Sequence, residues 1–364
     1  MIPYTRPYLP DRERLDRYLD RLYESHWLTN SGELVQELTR RLEDYLGVEN
    51  LLLVANGTLA LQIAYRALGV SKKPASTRHE AITTPFTFIA TASSLKWEGI
   101  EPVFVDIDPA TWCLDPARVE GAITPATKAI VPVHVFGNGC DVEAIEDIAG
   151  RHTLKVIYDG AHAFGVTRQG RSLLRHGDAA ILSFHATKLF HTIEGGAIVF
   201  KCREDLERAR RMINFGISGP ETIEDLGINA KMNEFQAAMG LCVLEDIERI
   251  VEERRAAVER YIELLGSDVI LQLRAPSCSR NGAYFPILLD SEARVLDVVE
   301  GLEGAGIKAR RYFYPNLSEL PFFPDGEGLD NSLDIARRIL CLPLYPGITP
   351  QVQKRVTAAL KELL

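Results

Sequence analysis

The sequence predicts an α/β protein: a largely parallel sheet covered by helices on both faces, followed by a smaller α+β domain. Three observations predict it. Short apolar runs alternate with amphipathic helical patterns over roughly the first 230 of the 364 residues. Those runs are apolar throughout rather than at every second position, as in strands buried on both faces. Near 227–233 the alternation stops, and a long helical stretch from Glu234 to Leu265 begins.

Residues 11–25 have helical spacing and lead into the polar turn Trp27-Leu28-Thr29-Asn30-Ser31-Gly32. A second helix over 33–46 is closed by Gly47, the residue that most easily takes the left-handed conformation at a helix end. Strands are expected at Leu51–Ala55, Ala81–Thr84, Pro102–Asp106, Ala129–Val133, Lys155–Tyr158, Ala179–Phe184 and Ala197–Phe200. Helices between them are expected at Leu59–Leu68, Thr87–Trp97, Pro116–Ala122 and Val142–Ala149. The Glu234–Leu265 stretch reads as one helix, with Glu245 and Arg249 forming an i,i+4 pair on its exposed face. It carries the boundary between a large domain, 1–245, and a small domain, 246–364. In the latter, Tyr284–Leu289 and Lys308–Phe313 read as strands and 292–304 and 350–363 as helices.

Composition narrows the function. A hydrophobic content of 46% with 25% charged residues is that of a globular protein, and no apolar run approaches the roughly 20 residues of a membrane span. The N-terminus lacks a signal-peptide apolar core, so a cytoplasmic protein is expected. A net charge of −9 argues against nucleic acid as a partner. The six cysteines, at 113, 140, 202, 242, 278 and 341, have no CxxC spacing, so neither a zinc site nor any other metal centre is expected.

The chemistry centres on Ser183 to Gly196, a turn between two strands. Lys188 stands there among small and aromatic residues, where burial would disfavour its charge, as an imine-forming lysine requires. Open α/β sheets gather partners at the carboxyl ends of strands. Asp159 ends the run Lys155–Tyr158, and Ser183 and His185 end the strand before Lys188. A lysine and an aspartate on two strand ends suit pyridoxal phosphate, whose ring nitrogen needs a carboxylate to stay protonated. Asp159 alone would also serve as a helix N-cap. Asn56-Gly57-Thr58 follows the first strand and opens a helix, a place where backbone N–H groups bind phosphate; the hydroxyl of Thr58 or Ser183 could add a bond. Phe86 or Phe88, after the next strand, could stack on a pyridine ring.

The stretches NGTLAL (56–61), TPFTFIAT (84–91), VIYDGAHAFG (156–165), SFHATKLFHTIEGGAIV (183–199) and GINAKMNEFQAAMG (227–240) resemble the DegT/DnrJ/EryC1/StrS family, in order and from about residue 3 to the C-terminus. The resemblance implies a fold-type-I, pyridoxal-phosphate-dependent sugar aminotransferase. It makes Lys188 the Schiff-base lysine and proton carrier, and Asp159 the partner of the ring nitrogen. It places His162 beside the ring hydroxyl, Phe88 against the ring, and Gly57, Thr58 and Ser183 on the phosphate. Asn229 matches a residue that reaches the phosphate across a dimer interface, implying a homodimer with shared active sites. Within the family, RPYLP (6–10), HWLTNSG (26–32), HATKLFHTIEGG (185–196), INAKMNE (228–234) and ARRYFYP (309–315) are most similar to the branch that aminates dTDP-4-keto-6-deoxyglucose, with L-glutamate as donor. Lys231, Leu59 and Gly160 depart from the common pattern, which more often has Arg, a polar residue and Ala there.

For the nucleotide sugar, Arg310, Arg311 and Tyr312 are candidates for the diphosphate or hexose, and Thr29, Asn30 and His185 for the sugar. Amination of a 3-keto or a UDP- or GDP-linked sugar is the alternative, as is a non-catalytic regulator that binds the cofactor. Lys188 speaks against a dehydratase of the same family, which carries His there. The absence of GxGxxG after the first strand speaks against a nicotinamide oxidoreductase.

Overall fold

All seven apolar runs fall in one sheet. In the computed structural model, which describes residues 1–71, 78–323 and 326–364, the strands are β1 (Leu51–Val54), β2 (His79–Thr83), β3 (Ile100–Phe104), β4 (Thr127–Ile130), β5 (Lys155–Asp159), β6 (Ala179–Ser183) and β7 (Gly196–Phe200). Their order across the sheet is β1-β7-β6-β5-β4-β2-β3. From β6 to β3 every pairing is parallel, whereas β7 runs antiparallel to both β1 and β6. The sheet is therefore largely parallel, and the reversal at β7 follows from the short turn between β6 and β7, which carries Lys188.

Both faces of the sheet are covered, which explains the unbroken apolar runs. Leu51 and Leu53 of β1, with Ala180 and Leu182 of β6, pack on the face covered by α1 (Arg12–Ser25), α2 (Glu33–Leu46) and α5 (Val142–His152). Their alternates Leu52, Val54, Ala179 and Ile181 pack on the other face, under α3 (Gly57–Ala67), α4 (Ile89–Trp97) and α6 (Arg203–Met212). Gly47 takes φ +62° at the end of α2, as expected of a helix terminator.

Two expectations are corrected. The stretch from Glu234 is two helices, α7 (Glu234–Glu245) and α8 (Ile247–Leu265), broken at Asp246, which leaves the helical region at φ −103°, ψ 4°. The break removes the Glu245–Arg249 pair: Glu245 meets Arg14 at 3.3 Å, and Arg249 meets Glu253 at 2.9 Å. Residues 308–313 are not a strand. The segment makes isolated backbone pairings, the Lys308 amide to the Ile2 carbonyl at 2.9 Å and Arg310 with Cys341, and then turns towards the cavity described below. The small sheet instead joins β8 (Ile270–Leu271), β9 (Pro286–Leu288) and β10 (Ile339–Cys341), all antiparallel. Helices α9 (Glu292–Gly304), α10 (Asp330–Arg338) and α11 (Pro350–Lys361) complete this α+β part. Its core also takes Ile2, whose backbone pairs with Ile307, so the N-terminus crosses over to the C-terminal part. Among the described residues no helix is long and apolar enough to cross a membrane.

Candidate active site

The carboxyl ends of β1, β5 and β6 open into one cavity of about 280 Å³. The small part contributes Arg310, Tyr312 and Phe313 to its wall, and the N-terminal segment contributes Tyr4.

Asp159 lies at the bottom and is only 5% exposed. Its Oδ2 accepts the Thr91 hydroxyl at 2.7 Å, and its Oδ1 accepts the Ala161 amide at 3.0 Å. Burial raises its pKa above the ordinary carboxylate value, and the two hydrogen bonds and the charge of Lys188 oppose the shift only in part. A carboxylate in this position favours an added cationic N–H donor.

Lys188 enters from the β6–β7 turn, half-buried. Its backbone amide donates to the His185 carbonyl at 2.8 Å, which tightens the turn under it. Its Nζ donates to the Tyr284 hydroxyl at 3.3 Å. Burial pushes its pKa down to about 8, while the Asp159 charge holds it up. An amine so placed is far more available near neutral pH than an exposed lysine, whose pKa is about 10.4.

His162 forms a side wall and is 7% exposed. Its Nδ1 accepts the Phe136 amide at 3.2 Å, which places the proton of the neutral ring on Nε2. Burial lowers its pKa well below the ordinary imidazole value, so the ring stays neutral. It lies parallel to the rings of Phe136 and Phe313.

Opposite, the N-terminus of α3 supplies an anion cradle. The Asn56 side chain caps the helix by accepting the Leu59 amide at 2.9 Å, leaving the Gly57 and Thr58 amides for another acceptor. Glycine is required twice here for close approach. A Cβ on Gly57 would lie 3.0 Å from the Ser183 Cβ, and one on Gly196 would lie 2.7 Å from the Asn56 carbonyl carbon. Phe88, just ahead of α4, presents a half-exposed ring to the cavity, whereas Phe86 is buried in the core.

Ten of the residues singled out from the sequence thus line one space: Gly57, Thr58, Phe88, Asp159, His162, Ser183, His185, Lys188, Arg310 and Tyr312. Four do not. Thr29 and Asn30 sit on the exposed turn before α2, and Asn229 is exposed beside the hairpin 217–223. Arg311 is tied to Glu292 at 2.7 Å and stacked on Tyr314. Tyr4, Thr187, Glu194 and Phe313 join the lining without having been singled out. Thr91, inside one of the quoted motifs, is the hydroxyl that orients Asp159.

The sequence matches the model of the DegT/DnrJ/EryC1/StrS aminotransferase family over residues 10–361. The chain belongs to this family. It is 43% identical to a dTDP-4-amino-4,6-dideoxy-D-glucose transaminase from Shigella dysenteriae, covering 99% of this chain and 98% of that one. It is 33% identical to a GDP-perosamine synthase from Caulobacter vibrioides, covering 100% of this chain and 98% of that one. Among solved structures, DesI in the presence of its TDP-sugar product superposes with a TM-score of 0.90 at 36% identity, covering 98% of this chain and 91% of that one. This aminotransferase therefore has the fold-type-I architecture, a large sheet with a smaller C-terminal α+β part, and family membership carries dependence on pyridoxal phosphate.

Proposed function

We propose that this aminotransferase converts dTDP-4-keto-6-deoxy-D-glucose to dTDP-4-amino-4,6-dideoxy-D-glucose with L-glutamate as the amino donor. The observation that carries the reading is the pairing of a desolvated lysine and a buried, under-donated aspartate across one cavity, beneath a free helix N-terminus. Similarity to the Shigella dysenteriae transaminase over the whole chain supports the sugar.

The residues present fit pyridoxal phosphate. Asp159 would meet the ring nitrogen, the Gly57 and Thr58 amides with the Thr58 and Ser183 hydroxyls would take the phosphate, and Lys188 would hold the carbonyl carbon. Phe88 and His162 would flank the ring. When bound, the cofactor supplies an electron sink for the carbanion formed at the carbon that gains or loses nitrogen. Lys188 moves the proton there, because its amine is depressed far enough to be a base near neutral pH and remains able to hand the proton back. Asp159 works electrostatically, as a fixed negative charge in a water-poor floor. Arg310 is a cation of the wall. It stacks on Tyr312 at 4.3 Å and donates to the Tyr4 hydroxyl at 3.1 Å, with no acidic partner among the described residues, so it can take the substrate diphosphate. His185 and Glu194, 3.7 Å apart at the rim, offer donors and acceptors to the hexose. Thr29 and Asn30, on the exposed turn before α2 and outside this lining, are the further candidates for the sugar.

A second copy of the chain would complete the site. Phe215, Ile217, Ile223, Leu226, Ile228 and Phe235 are exposed around Asn229, an apolar surface suited to a homodimer in which Asn229 reaches the partner's phosphate site.

The test uses one purified sample. Borohydride should fix the cofactor on Lys188, as read by peptide mass spectrometry. The visible absorbance of the bound cofactor should fall with L-glutamate and return with dTDP-4-keto-6-deoxyglucose, and NMR of the product should place the amine on C4. A fall without return would sink this sugar and point to a GDP-linked, UDP-linked or 3-keto substrate. No trapping on Lys188 would sink the reading.

A further inference from the structure

Among the described residues, Tyr284 provides the one side-chain hydrogen bond to the Lys188 amine, and it comes from the other part of the molecule. It lies just before β9, yet its hydroxyl sits 3.3 Å from Nζ. Among the described residues that hydroxyl has no other hydrogen-bond partner.

The segment carrying Tyr284 is fixed from three sides. Asn281 donates through Nδ2 to the carbonyls of His162 at 2.9 Å and Phe164 at 3.0 Å, and its Oδ1 accepts the Ala283 amide at 3.0 Å. That one side chain staples the small part to the strand-end loop carrying His162. Arg254 is 2% exposed and has no carboxylate partner among the described residues. Its guanidinium donates instead to the Gly282 carbonyl at 3.1 Å. Gly282 itself, at φ +69°, has no room for a Cβ, which would lie 2.8 Å from the Arg254 Cβ. The Tyr284 ring is then wedged against His162, with centroids 4.6 Å apart, and against Phe136 and Tyr312 at 5.4 and 5.7 Å. Burying an arginine against carbonyls alone costs desolvation, which these hydrogen bonds to the loop offset only in part.

We propose that Tyr284 is a positioning residue for the Lys188 amine, its phenolic oxygen accepting from Nζ and holding the amine in the cavity whenever it is not bonded to the cofactor. The inference rests on the reading of Lys188 as the reactive amine. Burial raises the Tyr284 pKa far above neutrality, so the phenol keeps its proton while the lysine titrates. Its lone pair then stabilises the ammonium form and works against the desolvation of Lys188. Asp159 and Tyr4 act on Nζ in the same direction, and Arg310 acts against it. His162, His185, Glu194 and Tyr312 also face this space. All of them persist when Tyr284 is changed, so the difference between variants isolates the hydroxyl.

The experiment is trace acetylation of the full chain freed of cofactor, from pH 6 to 10, with the Lys188 peptide quantified by mass spectrometry for wild type and Tyr284→Phe. Losing one acceptor to an ammonium should lower the half-labelling pH by about half a unit, roughly a threefold faster labelling at pH 7. A profile that coincides with wild type, or moves up, overturns the proposal. If Tyr284→Phe does not fold, Tyr284→Met also lacks the hydroxyl and the same two outcomes decide. Borohydride trapping of the restored cofactor on wild-type Lys188 separates the failures. Trapping with an unmoved profile removes only the role of Tyr284, while no trapping removes the reading of Lys188.

Discussion

Asp106 and Asp159 are both buried at the carboxyl ends of parallel strands in one sheet, and the protein serves them differently. Asp106 follows β3 and is answered from within the fold: its Oδ1 accepts the Ser332 amide at 2.8 Å and its Oδ2 the Asn331 amide at 2.9 Å, with the cationic Arg118 guanidinium 3.9 Å away. It pins the start of α10 to the large sheet. Asp159 ends β5 and receives one hydroxyl and one amide from its own surroundings, with its open side towards the cavity. A carboxylate with a guanidinium beside it and both its donors from one helix start is a structural joint. One whose open side faces a cavity, and which burial pushes towards protonation, is shaped for a cation that arrives from outside.

The largest effect should separate the two in catalysis. Asp159→Asn should bind cofactor yet lose on the order of 10²–10³ in kcat, the scale of one removed electrostatic contact to a transition state. Asp106→Asn should stay within about twofold of wild type in the fraction that folds. Steady-state kinetics on both variants checks this, and a large loss at Asp106 would break the contrast.

Stability should show the reverse. Asp106→Ala strands the buried Ser332 amide and the half-buried Asn331 amide, each costing about 1–3 kcal/mol, so a loss of about 2–6 kcal/mol in urea unfolding is expected. Asp159→Ala frees one amide and one hydroxyl beside a cavity that water can enter, and should cost less. Equal losses would mean that Asp159 is as structural as Asp106.

Adjacent arginines repeat the contrast on a smaller scale. Arg310 faces the cavity with no acidic partner among the described residues, whereas Arg311 is spent on Glu292 and on the Arg337 carbonyl at 2.9 Å. Arg310→Ala should raise KM for the nucleotide sugar about tenfold or more, since a hydrogen bond to a charged group is worth about 1.5–3 kcal/mol. Arg311→Ala should leave KM near wild type. The opposite pattern would reassign the diphosphate.

The contrast also shows what a sequence can carry. Most of the sheet strands were legible because burial on both faces makes them apolar runs, as in Ala179 to Leu182, whereas the edge strand β3 carries Glu101 and alternates buried with half-buried residues. Lys188, Asp159 and Gly57 were legible because strand ends converge, and a motif at the end of each strand marks the convergence. The break at Asp246 was hidden because helical periodicity continues on both sides of it. Tyr284 and Tyr4 were hidden for a different reason. Each reaches the cavity from far along the chain, Tyr284 by way of the Asn281 staple and Tyr4 by way of a backbone bond from Leu344. Nothing local in Asn281-Gly282-Ala283-Tyr284 says which strand end it will meet. Arg310 and Arg311 look alike in the sequence and are sorted only by where Glu292 lies.

The smallest effect sharpens the account of Asp159 most. Burial holds its folded pKa above the ordinary 3.8, so the native chain keeps a proton where the unfolded chain has lost it. The stabilisation is full below pH 3.8 and is lost as pH rises through the folded value. Without cofactor, Asp159→Asn, which cannot ionise, should therefore gain on wild type as pH rises from 3.8 through the folded value. Urea midpoints of the two proteins across that range measure it. A gap that is flat or closes with pH would mean that Asp159 already has its counter-charge within the chain. Saturating cofactor should then reverse the order, because a protonated ring nitrogen stabilises the ionised wild-type carboxylate and gives the asparagine much less.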